Sequence, residues 1–444
     1  MSFIQPFLTT WLLCIIVLCF IKIKWSIALF LLYLMLVPYI NIGISGLGTG
    51  DNFIKLLLVI GYYIERRKKQ IKFSYIPYVP FVIYFVVSLF MTLFQDGVPN
   101  DIMLDYIRKD IMNILFFPII MWNVMRMDSS SIILFRNTMI ICIIISIGYG
   151  LILTQLGGIN PYAMFFLTQI DTDVNYENYY EDAGGGRLFG RISSVYIHPM
   201  AFALFIGLTF IYLLYLFVLN KLNRIFLSIL MLLTIIMAVL CGVRSVLGGL
   251  FVSLFYYFVW GKKFKIMLLS LIIGILGLSV ASSVPELSGY ITSITDINNK
   301  QQDVSGSSVD MRLQQLEGAV AEASRNPLFG LGYGWTTYYQ SLKGDHPICL
   351  AFESLLFVVI CNSGIVGLFL WLFMVMKILY NNKTMRIRSM VIINALLIFY
   401  ISYSLITGEY GYMRVFLIFY TLLLGESLLY KKENIHKDLL YKVV

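Results

Sequence analysis

An all-α, polytopic membrane fold is predicted by three features of this sequence. The chain has 444 residues, of which 59% are hydrophobic, and a mean hydropathy of +0.83, whereas a soluble domain is about half apolar. The surplus runs the whole length of the chain, in segments that reach the roughly 20 residues an α-helix needs to cross a bilayer. Short basic clusters recur between those segments, as they do in the cytoplasmic loops of membrane proteins.

The first apolar run, from Phe7 to Ile21, has no basic stretch before it and no small-residue cleavage site, so it reads as a retained span. The basic linkers that follow are Lys22–Lys24, Glu65–Lys72, Arg126, Lys221–Arg224, Gly261–Lys265, Asn381–Arg388 and the tail from Lys431. Placing all of them in the cytoplasm gives about 12–13 spans, with the amino terminus out and the carboxyl terminus in. The organisation is then an N-terminal bundle (1–156), a first large outer loop (157–195) and central helices (196–283). A second large outer loop (284–347), C-terminal helices (348–430) and a cytoplasmic tail (431–444) complete it. Loops this long in a compact protein are usually functional or disordered. Within the second, Val309, Leu313, Leu316 and Val320 recur at helical spacing after Ser307–Ser308, which predicts an amphipathic helix with those residues on its buried face.

The net charge of +9 does not point to nucleic acid, because the basic residues lie in the short linkers that topology explains. The six cysteines (14, 19, 142, 241, 349 and 361) lie in or beside apolar runs without a CxxC pair, and read as small buried hydrophobes.

Basic residues on the outer side are the exceptions that carry information. Arg187 and Arg191 stand just before a span, Arg244 between two tightly joined spans, Arg312 at the start of the loop helix and Arg325 at its end. Arg108 and Lys109 lie beside Asp105 and Asp110, where pairing or snorkelling accounts for them, as it does for Arg325. Arg244, among Gly242, Gly248 and Gly249, is expected to face the bundle interior, where a charge is costly and marks a functional site. A guanidinium fork grips phosphate bidentately at any working pH. Several on the outer surface point to a polyphosphate, and a lipid-linked pyrophosphate is the natural candidate there.

Two histidines share that side, each before a proline: His198 in "IHPMAF" and His346 in "DHPICL". Proline is tolerated in the first helical turn. Both imidazoles are therefore expected at helix N-termini, where the dipole favours the neutral form that a general base needs. Glu353, seven residues on, is expected on the same helix face about 10 Å deeper, paired with a buried arginine such as Arg244. Gly330, Gly332 and Gly334 in "RNPLFGLGYGW" offer exposed amides in the manner of a phosphate cradle, but no Lys-Ser/Thr follows. Asp171–Asp173 imitates a metal-binding DxD motif within an acidic, solvated loop, and no metal site is read from it. The tyrosines at 176, 179, 180, 338 and 339 suit sugar stacking or an interfacial belt.

The order and sidedness of these elements resemble the bacterial O-antigen polymerases and O-antigen ligases. The matching pieces are Arg191 before a span, "VRS" at Arg244, "MRLQQLEGAVAEASRNPLFGLGYGW", and "DHPICLAFESLLFVVICNSGIVGLF" with Gly364 and Gly367. Pro347 stands where relatives often have Asn, and Arg244 precedes its serine instead of following it. The resemblance implies a GT-C-like, metal-independent inverting glycosyltransferase of the inner membrane, with no cofactor and an active site facing the periplasm or exterior. Its donor would be a glycan on undecaprenyl pyrophosphate, held by Arg191, Arg244 and Arg312, with His346 acting on the acceptor hydroxyl as base or orienting it. Arg187, His198, Glu353, Gly330 and Gly332 would support the site. A chain-length regulator is an implied partner. Polymerase is the favoured reading and ligase the alternative. A lipid-linked oligosaccharide flippase is a further reading, but it needs charges lining a path through the membrane centre.

Overall fold

The computed structural model describes residues 4–37, 43–44, 48–69, 72–157, 159–170, 191–269, 272, 279, 283, 309–407 and 412–440. Apart from a two-residue antiparallel ladder, Gly43–Ile44 with Gly48–Thr49, its named elements are helical. The N-terminal helices are α1 (Ile4–Ile21), α2 (Ile23–Leu36), α3 (Gly50–Lys69), α4 (Val79–Met91), α5 (Asn100–Asp110), α6 (Phe117–Met127) and α7 (Ser129–Gln155). They are followed by α8 (Pro161–Ile170), α9 (Pro199–Val218), α10 (Arg224–Leu240), α11 (Arg244–Trp260), α12 (Val309–Ala323) and α13 (Trp335–Lys343). The last are α14 (Leu355–Asn382), α15 (Ile387–Ile406) and α16 (Tyr412–Leu440).

Seven stretches among the described residues are helical, long and apolar enough to cross a membrane: Ile76–Phe94, Asn100–Met127, Ser129–Gln155, Pro199–Val218, Leu355–Asn382, Ile387–Ile406 and Tyr412–Tyr430. Four shorter apolar helices accompany them, Thr9–Ile21, Ile23–Leu36, Arg224–Leu240 and Arg244–Trp260. The chain is a polytopic, helical membrane protein. Its helix ends fall at the basic linkers for local reasons. Asn223 caps α10, its Oδ1 accepting from the amides of Ile225 and Phe226 at 2.8 and 3.2 Å. Pro199 occupies a first turn, where a missing N–H costs nothing.

The helices gather into two compact units. One comprises Met1–Val79, Asp110–Ser146 and Arg414–Val444. Its helices approach closely at Gly61, where a Cβ would lie 2.5 Å from the carbonyl oxygen of Cys19. Three polar groups inside it are settled in pairs. Tyr78 shares a hydrogen bond with Thr421, buried Lys55 donates to Asn113 at 2.7 Å, and Arg136 faces Glu426 at 3.4 Å. At the α6–α7 junction Lys24 donates to Asp128 at 2.9 Å. Burial raises the Asp128 carboxyl, but hydrogen bonds from Lys24, the Ser130 hydroxyl and the Ser130 amide outweigh it and hold the group at about 2.

The other unit comprises Pro80–Lys109 and Ile147–Met413. At its centre α9 is buried along most of its length against α10, α11 and α15. The Phe399 ring fills the space left by Gly207 on α9 and Gly249 on α11. Helix α14 is broken at Gly364 (φ 58°, ψ −155°), and the segment before α13 fills the break. Ile365 and Val366 donate to the carbonyls of Pro327 and Leu328 at 3.0 Å each, and Leu331 donates to Cys361 at 2.8 Å. The Gln95 side chain ties the same joint, donating to Phe329 and Asn362 carbonyls and accepting from the Tyr333 amide at 3.2 Å.

Two outcomes test these packing arguments. Gly330→Ala puts a Cβ 2.6 Å from the Gly364 amide at φ +75° and is expected to cost about 1–3 kcal/mol. Gly248→Ala, with nothing within 4 Å, should leave the melting temperature in detergent unchanged or raise it. The Asp128 contribution is present above about pH 4, the ordinary carboxylate range, and is lost as pH falls through about 2. Lys24→Ala should therefore flatten the decline of thermal stability across that window.

Candidate active site

One end of the second unit collects the helix termini opposite the basic linkers 221–224, 261–265 and 381–388. They are the starts of α9, α11 and α14 and the ends of α10 and α15. His198 caps α9, as its place before Pro199 predicts, and its Nδ1 accepts from the Met200 amide at 3.2 Å. The Tyr403 hydroxyl donates to the Met200 carbonyl at 2.6 Å, which joins the end of α15 to the start of α9. Ile192 donates to the Leu240 carbonyl at 3.3 Å. This puts half-buried Arg191 beside the end of α10, within electrostatic reach of Cys241. Arg244 opens α11 two residues after Gly242, which turns the chain at φ +64°. Arg191 and Arg244 therefore flank the same short turn.

Arg312 reaches this end from the loop helix α12. Its Nη2 donates to Glu353 Oε2 at 2.8 Å and its Nη1 to Gln315 Oε1 at 2.9 Å. Glu353 adjoins Ser354, whose Oγ caps α14 by accepting from Leu356 at 3.2 Å and donates to the Leu405 carbonyl at 2.6 Å. The expected partner of Glu353 was Arg244, deeper along a helix. The structure gives it Arg312 instead, because α14 begins only at Leu355 and Glu353 lies in the turn before it.

The same late start of α14 corrects the expected place of His346, which is not at a helix N-terminus. Residues 346–350 form a tight turn in which His346 and Leu350 exchange backbone hydrogen bonds at 3.0 and 2.8 Å. Leu350 and Phe352 sit at φ +51°, which no helix can contain. The buried imidazole packs among Tyr339 and Phe352. Its Nδ1 accepts from the amides of Ile348 and Cys349 at 3.2 and 2.9 Å. That arrangement assigns the proton of the neutral ring to Nε2. Nε2 lies 3.5 Å from Glu322 Oε1.

Glu322 is the member of this site that sequence reading missed. The expected buried stripe of α12 is also corrected: Leu313 and Val320 are exposed, and the inward face carries Gln315, Gly318, Ala319 and Ala323. Small residues bring the helix close to its neighbours, since a Cβ at Gly318 would stand 2.7 Å from Ile348. Glu322 shares that face, one turn from Gly318 and Ala319, and the small-residue spacing was the available signal. The expected cradle at Gly330 and Gly332 is filled by protein: Gly330 abuts Ser363 and Gly364, and Gly332 abuts Val98 and Met103. Arg108 and Lys109 both pair with Asp105, and Arg325 pairs with Glu322. Of the cysteines, Cys14 is exposed and the other five are buried. Arg187, the acidic triplet Asp171–Asp173 and the tyrosines at 176, 179 and 180 lie outside the described residues.

Residues 229–372, about a third of the chain, match the family model described as O-antigen ligase (Wzy_C). Over that segment the chain is similar to the O-antigen ligase family. The matched segment contains Arg244, Arg312, Glu322, His346 and Glu353, whereas Arg191 and His198 precede it. No curated protein matches the chain.

A double-mutant cycle on Arg312→Ala and Glu353→Ala, read as stability in detergent, should return a coupling of about 0.5–1 kcal/mol. The value is held down by partial solvent exposure of both side chains.

Proposed function

We propose that this chain is a member of the O-antigen polymerase and ligase superfamily and polymerises lipid-linked oligosaccharide repeat units of an O-antigen, capsule or exopolysaccharide. The reaction takes place at the outer face of the cytoplasmic (inner) membrane. The glycan leaves undecaprenyl pyrophosphate for an acceptor sugar hydroxyl, with inversion and without a metal. The observation that carries the reading is the gathering of Arg191 and Arg244 at one turn, among helix starts and ends on the side opposite the basic linkers. Those linkers mark the cytoplasmic side by the positive-inside rule. A cation at the first position of α11 works against the helix dipole. A pyrophosphate bound there is favoured by the guanidinium fork and the helix end together. Arg191, Arg244 and Arg312 hold the donor and stabilise charge on the leaving group, and His346 orients the acceptor side. Transfer of finished polymer to lipid A core sugars is the second reading, favoured by the ligase description of the family model. A flippase is not favoured, since it needs charges reachable from both sides.

Arg312→Ala and His346→Ala should each abolish glycan extension while the protein remains inserted. Arg244→Lys should fail as well, because an ammonium cannot make the bidentate contact. The deciding experiment is the glycan profile of cells lacking the protein. Single repeat units on the lipid A core, or accumulated single lipid-linked units, identify a polymerase. Full-length polymer left on undecaprenyl pyrophosphate with a bare core identifies a ligase. Repeat units trapped on the cytoplasmic leaflet overturn both.

A further inference from the structure

We propose that Glu322, not His346, takes the proton from the acceptor hydroxyl, and that His346 is the residue that positions it. The inference rests on the transfer reaction proposed above. A general base needs an unspent lone pair within reach of the hydroxyl. His346 has none. Nδ1 accepts two backbone amides, and the proton this assigns to Nε2 faces Glu322 Oε1 at 3.5 Å. Taking up a second proton would break the turn that Nδ1 holds together.

Glu322 has the capacity that His346 lacks. A carboxylate offers about four lone-pair sites. In Glu322, Arg325 Nη2 donates to Oε1 at 3.2 Å and also lies 3.1 Å from buried Oε2, an ion pair without hydrogen-bond geometry. One guanidinium nitrogen serves both oxygens, so lone-pair sites remain on the carboxylate for a substrate hydroxyl. The setting restrains the carboxylate on each side. His346 Nε2 and the Arg325 guanidinium flank it, and Gly318 and Ala319 hold its helix against the turn. Arg312 is on the same helix and reaches Glu353, so α12 carries a proton acceptor and a phosphate-binding cation together.

In the step, the acceptor hydroxyl oxygen bonds to the anomeric carbon of the donor. The bond from that carbon to the pyrophosphate oxygen breaks, and the electron pair leaves with the pyrophosphate. The hydroxyl proton passes to Glu322 Oε2. Protonated Glu322 then returns it to water, and no oxidant, reductant or metal enters the balance.

The test uses the full-length protein in liposomes, with undecaprenyl-pyrophosphate-linked repeat units extracted from cells lacking it as both donor and acceptor. Glu322→Gln keeps the shape and removes the base, so transfer should fall by at least about 100-fold. Retention of the lipid-linked unit on the proteoliposomes should stay at the wild-type level. Glu322→Asp should restore part of the rate. His346→Gln keeps an N–H donor near the Nε2 position but cannot act as a base. It should retain transfer within about tenfold of wild type, rescuing the loss in His346→Ala. Transfer by Glu322→Gln at near wild-type rates, or a dead His346→Gln beside an active Glu322→Gln, overturns the assignment alone. Failure of the wild-type protein to extend the glycan overturns the transferase reading, and this inference with it.

Discussion

The break in α14 at Gly364 is the constraint on which the site depends. A helix interrupted inside a packed bundle leaves amides and carbonyls that water does not reach, and each unpaired group is costly. Here the neighbouring chain completes the ladder. Pro327 and Leu328 accept from Ile365 and Val366, and Leu331 donates to Cys361. The loop helix α12 ends only a few residues before this joint, so its register against α14 is set by backbone hydrogen bonds and not by apolar contact alone. Both polar contacts of the site, the ion pair of Arg312 with Glu353 and the approach of His346 to Glu322, join α12 to the segment that leads into α14.

The polar groups divide by surroundings. Arg136 with Glu426 and Lys55 with Asn113 are settled inside the first unit, where a lone charge would be hardest to keep. Arg108 and Lys109 face solvent around Asp105. Between these extremes are Arg191, Arg244 and Arg312, half-buried at helix ends. At that depth a guanidinium acts more strongly on an anion than it does in bulk water.

Much of the architecture was legible in the sequence because it follows from composition and from the linkers. The helical membrane fold, the cap at His198 and the loop helix over 309–323 are all local consequences of residue type. Several residues singled out in the sequence gather at one end of the second unit, but their geometry was not legible. Reading "DHP" as a helix start was reasonable from Pro347, yet Leu350 and Phe352 adopt left-handed backbone, which only tertiary packing could dictate. The stripe of Leu313 and Val320 misled because apolar periodicity marks a buried face only where the partner surface is also apolar. The partner of α12 is a crowded turn that admits only small side chains. Glu322 was hidden for the same reason, as a glutamate on the face that periodicity assigns to solvent.

The Phe399 ring has a mechanical consequence. Wedged against Gly207 on one side and Gly249 on the other, it acts as a dowel through α9, α11 and α15. None of the three can slide along another without first withdrawing an aromatic ring from a slot with no spare room. The helix starts that carry Arg244 and follow Arg191 are thereby held in register, whereas α12 rests on small residues and a turn.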